Sequence, residues 1–114
     1  MKQDFLQSVH GQKLQRRYGE LQEELVALGW LTHGSVTPNH PGHWRWTTKV
    51  KSKTITLALT QEQAEIFKDA IINHRKLDRI VHEMRAISLQ VLLKSTAGIP
   101  KKSGSKNHPK SRLT

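Results

Sequence analysis

The chain has 114 residues, 35% of them hydrophobic, and carries 19 Lys plus Arg against 9 Asp plus Glu, a formal net charge of +10. That length supports one domain, the low apolar content argues for a thin or shared core, and the charge favours polyanions, DNA or RNA before anionic membrane. The absence of cysteine excludes disulfides and thiolate zinc sites, and no apolar run nears the roughly 20 residues of a membrane span, so a soluble, cytoplasmic protein is expected, with no membrane contact.

From Asp4 to about Leu28 the residues Phe5, Val9, Leu14, Tyr18, Leu21, Leu25 and Leu28 recur mostly at spacings of three and four, which predicts an amphipathic helix. Gly11 and Gly19 each weaken it by about 1 kcal/mol against alanine, so a break is expected near Gly11, with Gly29 as the stop. Residues 30–42, WLTHGSVTPNHPG, read as turns and short extended pieces. Either Trp30 to Thr32 or His33 to Thr37 is a candidate third strand beside the hairpin that follows.

Residues 43–59, HWRWTTKVKSKTITLAL, predict that hairpin, with Lys51 and Ser52 as its two-residue turn and paired positions adding to 103. In this register Trp44, Trp46, Thr48, Ile55, Leu57 and Leu59 share one face. The other face carries Arg45, Thr47, Lys49, Thr54, Thr56 and Ala58, and Lys51 and Lys53 lie at the tip. No carboxylate occurs between Leu25 and Gln61.

Thr60 opens TQEQ, a capping box, and the rhythm of Ala64, Phe67, Ile71, Leu77, Ile80, Met84, Ile87 and Val91 predicts one helix of about 34 residues, about 50 Å long. Glu62, Glu65 and Asp69 come early in it and Arg75, Lys76, Arg79, Arg85 and Lys94 later, as the helix dipole prefers. From Ser95 the composition turns to Gly, Pro, Ser and Asn with Lys101, Lys102, Lys106, Lys110 and Arg112 and no acid, the pattern of a disordered basic tail.

The reading is therefore α+β, in the order α-β-β-α. Residues 1–94 form two long antiparallel helices flanking the basic hairpin, and residues 95–114 form the tail. With Leu28 near Phe67, facing positions of the helices add to about 95, pairing Glu20 with Arg75, Arg17 with Asp78 and Lys13 with Glu83. A homodimer building a four-helix bundle would thicken the core.

The side chains that could carry chemistry each have two readings. Trp44 and Trp46 beside Arg45 could stack on bases, but their place among Ile55, Leu57 and Leu59 favours packing, and Trp30 is also expected in the core. Arg45, Lys49, Lys51 and Lys53, with Lys101, Lys102 and Lys106 of the tail, are the expected phosphate contacts, against the alternative of a solvated edge that resists aggregation. His33, His40 and His43 are imidazoles in one loop without thiol or carboxylate support, so no metal or other cofactor is expected. The acids fall on the two helices and no glycine-rich phosphate loop or nucleophile elbow occurs, so the chain does not read as an enzyme.

Gly34-Ser35-Val36, Gly42 before Trp44 and Trp46, the Lys, Thr and Ser hairpin over 47–59 and His74-Arg75-Lys76-Leu77 on the long helix give a pattern over residues 31–93. It resembles a family of small uncharacterised prokaryotic proteins found near transposase genes. Many members carry a cysteine-rich knuckle where this chain has TPNHPG, so a zinc role does not carry over. The resemblance implies a mobile-element or nucleic-acid setting and supplies no catalytic residue. The expected function is that of a small nucleic-acid-binding accessory protein. The alternative is a coiled-coil adaptor that docks on a partner protein through its long helix.

Overall fold

The structure is a computed structural model and describes residues 2–100. It is α+β, with elements α1 (Lys2–Gln7), α2 (Val9–Val26), β1 (Ser35–His40), β2 (His43–Val50), β3 (Lys53–Thr60) and α3 (Gln61–Lys94). The strands form one antiparallel sheet in the order β1-β2-β3. Three strands, not two, therefore lie between the long helices, and the order is helix, three strands, helix. The extra strand overlaps the second of the two candidate segments. It contains Pro38, which lacks a ladder donor, and this is tolerated because β1 is an edge strand whose register shifts between Pro38 and His40.

The β2–β3 hairpin has the register its alternation dictates: Val50 faces Lys53, Trp46 faces Leu57 and Trp44 faces Leu59. Lys51 and Ser52 sit at φ 50° and 68°, the doubly left-handed geometry that a two-residue turn needs to match strand twist. Pro41 and Gly42, the latter at φ 79°, reverse the chain between β1 and β2.

The first helix breaks at Ser8, three residues before the expected glycine. The Ser8 hydroxyl donates to the Phe5 carbonyl at 2.6 Å and accepts from the Gly11 amide at 3.0 Å, so it ends α1 and caps α2 together. Gly11 lies buried inside α2, where a Cβ would collide with the Phe5 carbonyl oxygen. Its role is close approach of α1.

At Thr60 the capping box is complete, with the Gln63 amide donating to the threonine hydroxyl at 3.1 Å and the Thr60 amide donating to the Gln63 side chain at 2.9 Å. The helix it starts runs 34 residues and spans most of the long axis of a molecule with extents of 65 × 33 × 15 Å. None of the helices among the described residues is long and apolar enough to cross a membrane.

Two patches of core lie along α3. Near its start Leu59, Ala64, Ala70 and Ile71 are buried with Thr48 between helix and sheet, and Trp46 meets Phe67 edge to face at 5.3 Å. Further on, Leu21, Ile80 and Ile87 are buried between α2 and α3, with Leu14, Tyr18, Leu25, Leu28, Met84 and Val91 packed around them. Leu14, Tyr18, Leu21, Leu25 and Leu28 are separated by four, three, four and three residues, as are Leu77, Ile80, Met84, Ile87 and Val91 in the order three, four, three, four. This is the spacing of an antiparallel coiled-coil seam.

The helices are antiparallel, but their register differs from the expected one. Arg17 grips Glu83 with two bonds, Nε to Oε2 at 2.7 Å and Nη2 to Oε1 at 3.0 Å, while Arg79 reaches Glu24 at 3.2 Å. Glu20 bonds to Arg17 on its own helix at 3.0 Å, and Asp78 lies by His74, so the expected pairings of Glu20 with Arg75, Arg17 with Asp78 and Lys13 with Glu83 do not form. Facing positions add to 100 at Arg17 and Glu83 and to 103 at Glu24 and Arg79. The linker causes the shift. After α2 ends, residues 27–34 run back along α3, where the Thr32 amide donates to the Ala70 carbonyl at 3.2 Å and the Asn73 side chain donates to the Trp30 carbonyl at 3.0 Å. The linker and β1 occupy the first turns of α3, so α2 meets the helix further along. Trp30, expected in the core, lies in this linker and is 86% exposed.

Ile80 is 1% exposed, and Ile80→Ala should cost about 2 to 5 kcal/mol in urea unfolding because the seam is one layer deep and leaves a cavity. The Arg17 hydrogen bonds are the main cause holding the Glu83 carboxyl below its usual range, opposed by partial desolvation. A depressed carboxylate contributes stability above its unfolded pKa of about 4.3 and loses it as pH falls through the lower folded value. The melting-temperature gap between the native chain and Glu83→Gln should therefore be full near neutrality and close as pH is lowered below about 4.

Candidate nucleic-acid interface

Alternation gives the sheet two unlike sides. Trp44, Trp46 and Thr48 of β2 and Leu59 of β3 face α3, and their polar atoms are engaged within the protein. The Trp46 indole N–H donates to the His33 carbonyl at 2.8 Å, the Trp44 indole N–H donates to the Gln61 side chain at 3.1 Å, and the Lys68 ammonium sits 4.1 Å over the Trp44 ring. Thr48 shares a 2.8 Å hydrogen bond with Nδ1 of His33. Ile55 and Leu57 lie on the same side at the β3 edge, 43% and 49% exposed, where α3 covers the sheet incompletely. Both β2 indoles are thus half-buried against the helix, and no tryptophan of β2 stands on the outer side.

The outer side is polar apart from Ala58. The register aligns Ser35, Thr47 and Thr56 in one row and Thr37, Arg45 and Ala58 in the next, with Lys49 opposite Thr54 toward the turn. Arg45 and Lys49 are exposed on the central strand, about 13 Å apart along it at the usual rise per residue. Lys51 stands in the turn at positive φ. Lys53 pairs with Val50, so its side chain belongs to the same side as Ile55 and Leu57. Of the four cations expected on the ribbon, two share the open face, one extends it at the tip and one points to the helix side. Lys101, Lys102 and Lys106 lie outside the described residues.

Ser35 and Thr37 add to this surface beyond what the hairpin alone provides, because β1 pairs with β2 as a third strand. Their alternation with Val36 is the signal in the sequence that marks them. The start of β1 is held by Gly34 at φ 109°, where a Cβ would stand 2.5 Å from the Thr47 carbonyl oxygen and 2.8 Å from the Trp46 indole nitrogen. His33, beside it, presents its carbonyl and its ring to Trp46 and Thr48, and its ring lies 5.7 Å from that of His74.

The other two loop histidines, His40 and His43, face each other across the opposite end of β1 with ring centroids 6.4 Å apart. The strand therefore separates His33 from this pair, and among the described residues no three His, Asp or Glu side chains converge on a point that could hold a metal ion. The outer face has no carboxylate, since none occurs between Leu25 and Gln61. No described element packs on it; α3 lies against the other side. Such a face can offer cationic and hydroxyl donors to phosphate oxygens, but it has no Trp, Tyr or Phe ring on which a base would stack, and the ring that the register of β2 puts on it is the imidazole of His43 at its end.

No family model, no curated protein and no solved structure matches this chain.

Gly34→Ala should lose about 2 kcal/mol or more, since it combines a left-handed backbone with a clash against β2, whereas Gly19→Ala, with open space at its Cβ, should stabilise α2 by about 0.5 to 1 kcal/mol. Urea midpoints of the two variants test both signs.

Proposed function

We propose that the protein is a small nucleic-acid-binding accessory factor that holds the phosphate backbone on the open face of its sheet. One observation carries this reading: Arg45 and Lys49 lie on the central strand of an uncovered face rich in Ser and Thr, with no acid on any strand. A cationic face without internal counter-charges attracts a polyanion through release of its condensed ions, and the surrounding hydroxyls supply neutral contacts to phosphate or sugar. The net charge of +10 and the basic residues after Ser95 act in the same direction, drawing the partner in by screened attraction. The resemblance to proteins found near transposase genes supports a mobile-element assembly as the setting. No reaction is assigned, because none of the described strands supplies a carboxylate, a positioned nucleophile or a phosphate loop.

With both indoles of β2 turned toward α3, recognition rests on the backbone, and any sequence preference falls to Arg45, the side chain on this face best suited to a base edge. Replacing Arg45, Lys49 and Lys51 together by alanine should leave the fold intact, weaken binding to duplex DNA or single-stranded RNA, and reduce the slope of log affinity against log salt by about 0.7 to 0.9 for each phosphate no longer neutralised. Lys53→Ala, on the helix side, should change the slope less. An unchanged slope in the folded triple variant would remove the sheet face from the binding surface. The adaptor reading draws on a different feature, the uncovered apolar flank of the helix pair.

A further inference from the structure

The α2–α3 pair has two flanks of opposite character. On one, Arg17, Glu20, Glu24, Arg79 and Glu83 form a network of ion pairs between 2.7 and 3.7 Å. On the other, Tyr18 and Leu25 of α2 and Val81, Met84, Leu89 and Leu92 of α3 line two hollows of about 380 Å³ each that share Tyr18, Ser88 and Leu92. An apolar cavity of about 150 Å³ already holds a benzene ring, so each hollow has room for side chains of a partner. Leu89 and Leu92 are 53% and 66% exposed there, and the charge that lines the second hollow is Arg85.

We infer that this flank is the interface between two copies of the chain, which pair with their α3 helices antiparallel. The face is self-complementary, as a two-fold contact requires. Leu92 forms a ridge, and Ser88, the small residue among Val81, Met84 and Leu89, forms the adjacent hole. Setting Leu92 of one copy against Val81 of the other also places Arg85 opposite Ser88 and Leu89 opposite Met84, so the apolar knobs meet apolar positions and the two arginines do not face each other.

The area is sufficient. An 18-residue α2 is about 27 Å long and a helix pair about 20 Å wide, so each copy offers on the order of 500 Å² and the two together about 1,000 Å², the threshold for a specific interface. The flank is exposed on every copy of the chain, and another copy is the one apolar partner always present at equal amount. The packing turns two half-bundles into four helices around a common core and leaves the charged flanks in water. It carries the two sheets to opposite ends, about 55 Å apart, with their polar faces uncovered.

The test uses the full chain. The native protein should sediment at twice its 13.1 kDa mass at about 50 μM, with a melting temperature that rises with concentration. Leu89→Glu with Leu92→Glu, at two positions already more than half exposed, should keep the far-ultraviolet spectrum and sediment at the single mass, whereas Lys76→Ala, beside Glu24 and Arg79 on the charged flank, should remain paired. The chain has no native cysteine, so Val81→Cys with Leu92→Cys reports the register. These positions are about 16 Å apart along one helix, too far for a disulfide within a chain, and oxidation should yield a covalent dimer that neither single variant forms efficiently. A folded chain that stays at the single mass at about 50 μM, with or without some other protein on the flank, overturns the proposal. So does pairing that survives the two glutamates, or a double-cysteine chain that does not crosslink.

Discussion

Thr60 is both the last residue of β3 and the N-cap of α3, and the reciprocal bonds between Thr60 and Gln63 leave no loop between sheet and helix. The direction in which α3 leaves the sheet is therefore set by one capped junction. Its first turns fall across the apolar side of the strands, where Phe67 meets Trp46 and Lys68 covers Trp44. The rest of the helix runs past the sheet, and α2 returns to cover it. Both buried patches are hung on this one rod, so a break in α3 between them would uncouple the sheet from the helix pair.

Packing on one side of a three-stranded sheet determines what is left on the other. The large rings and Leu59 turn toward α3, and the alternation of the strand backbone then obliges Arg45, Lys49, Thr47, Thr54 and Thr56 to face outward. Burial of the tryptophans and exposure of the cations are two consequences of one register. The proposed function depends on that separation, because the cations are not placed near the carboxylates of the helices. All nine acids lie on α1, α2 or α3.

The helix pair repeats the division in another form. Arg17 and Glu83 close one flank with a forked ion pair, which fixes the antiparallel register through geometry more than through energy, since both partners remain over a third exposed. The opposite flank keeps its apolar residues open. Leu21, Ile80 and Ile87 are the well-buried residues of the seam, and a seam of that depth is thin for two helices standing in water.

Much of the local structure was legible in the residues. Alternation and the polar pair Lys51-Ser52 determined the hairpin register, TQEQ determined where α3 begins, and three-and-four spacing marked the residues of both long helices that pack, apart from Val9, which is 77% exposed. These are short-range properties, set by backbone geometry and side-chain period within a few residues. The third strand was obscured by Pro38 and the turn residues around it, whose local preference gives way once β2 offers an edge to pair with. The break at Ser8 in place of Gly11, the exposure of Trp30 and the shift of helix register toward 100 were decided by tertiary structure. Each depends on where a distant segment comes to rest: α1 against α2, the 27–34 linker against α3, β1 against β2. A periodic pattern states which face of a helix is apolar, but every turn of that face is nearly equivalent, so only the space taken by the linker and β1 determined which turns of α2 and α3 meet.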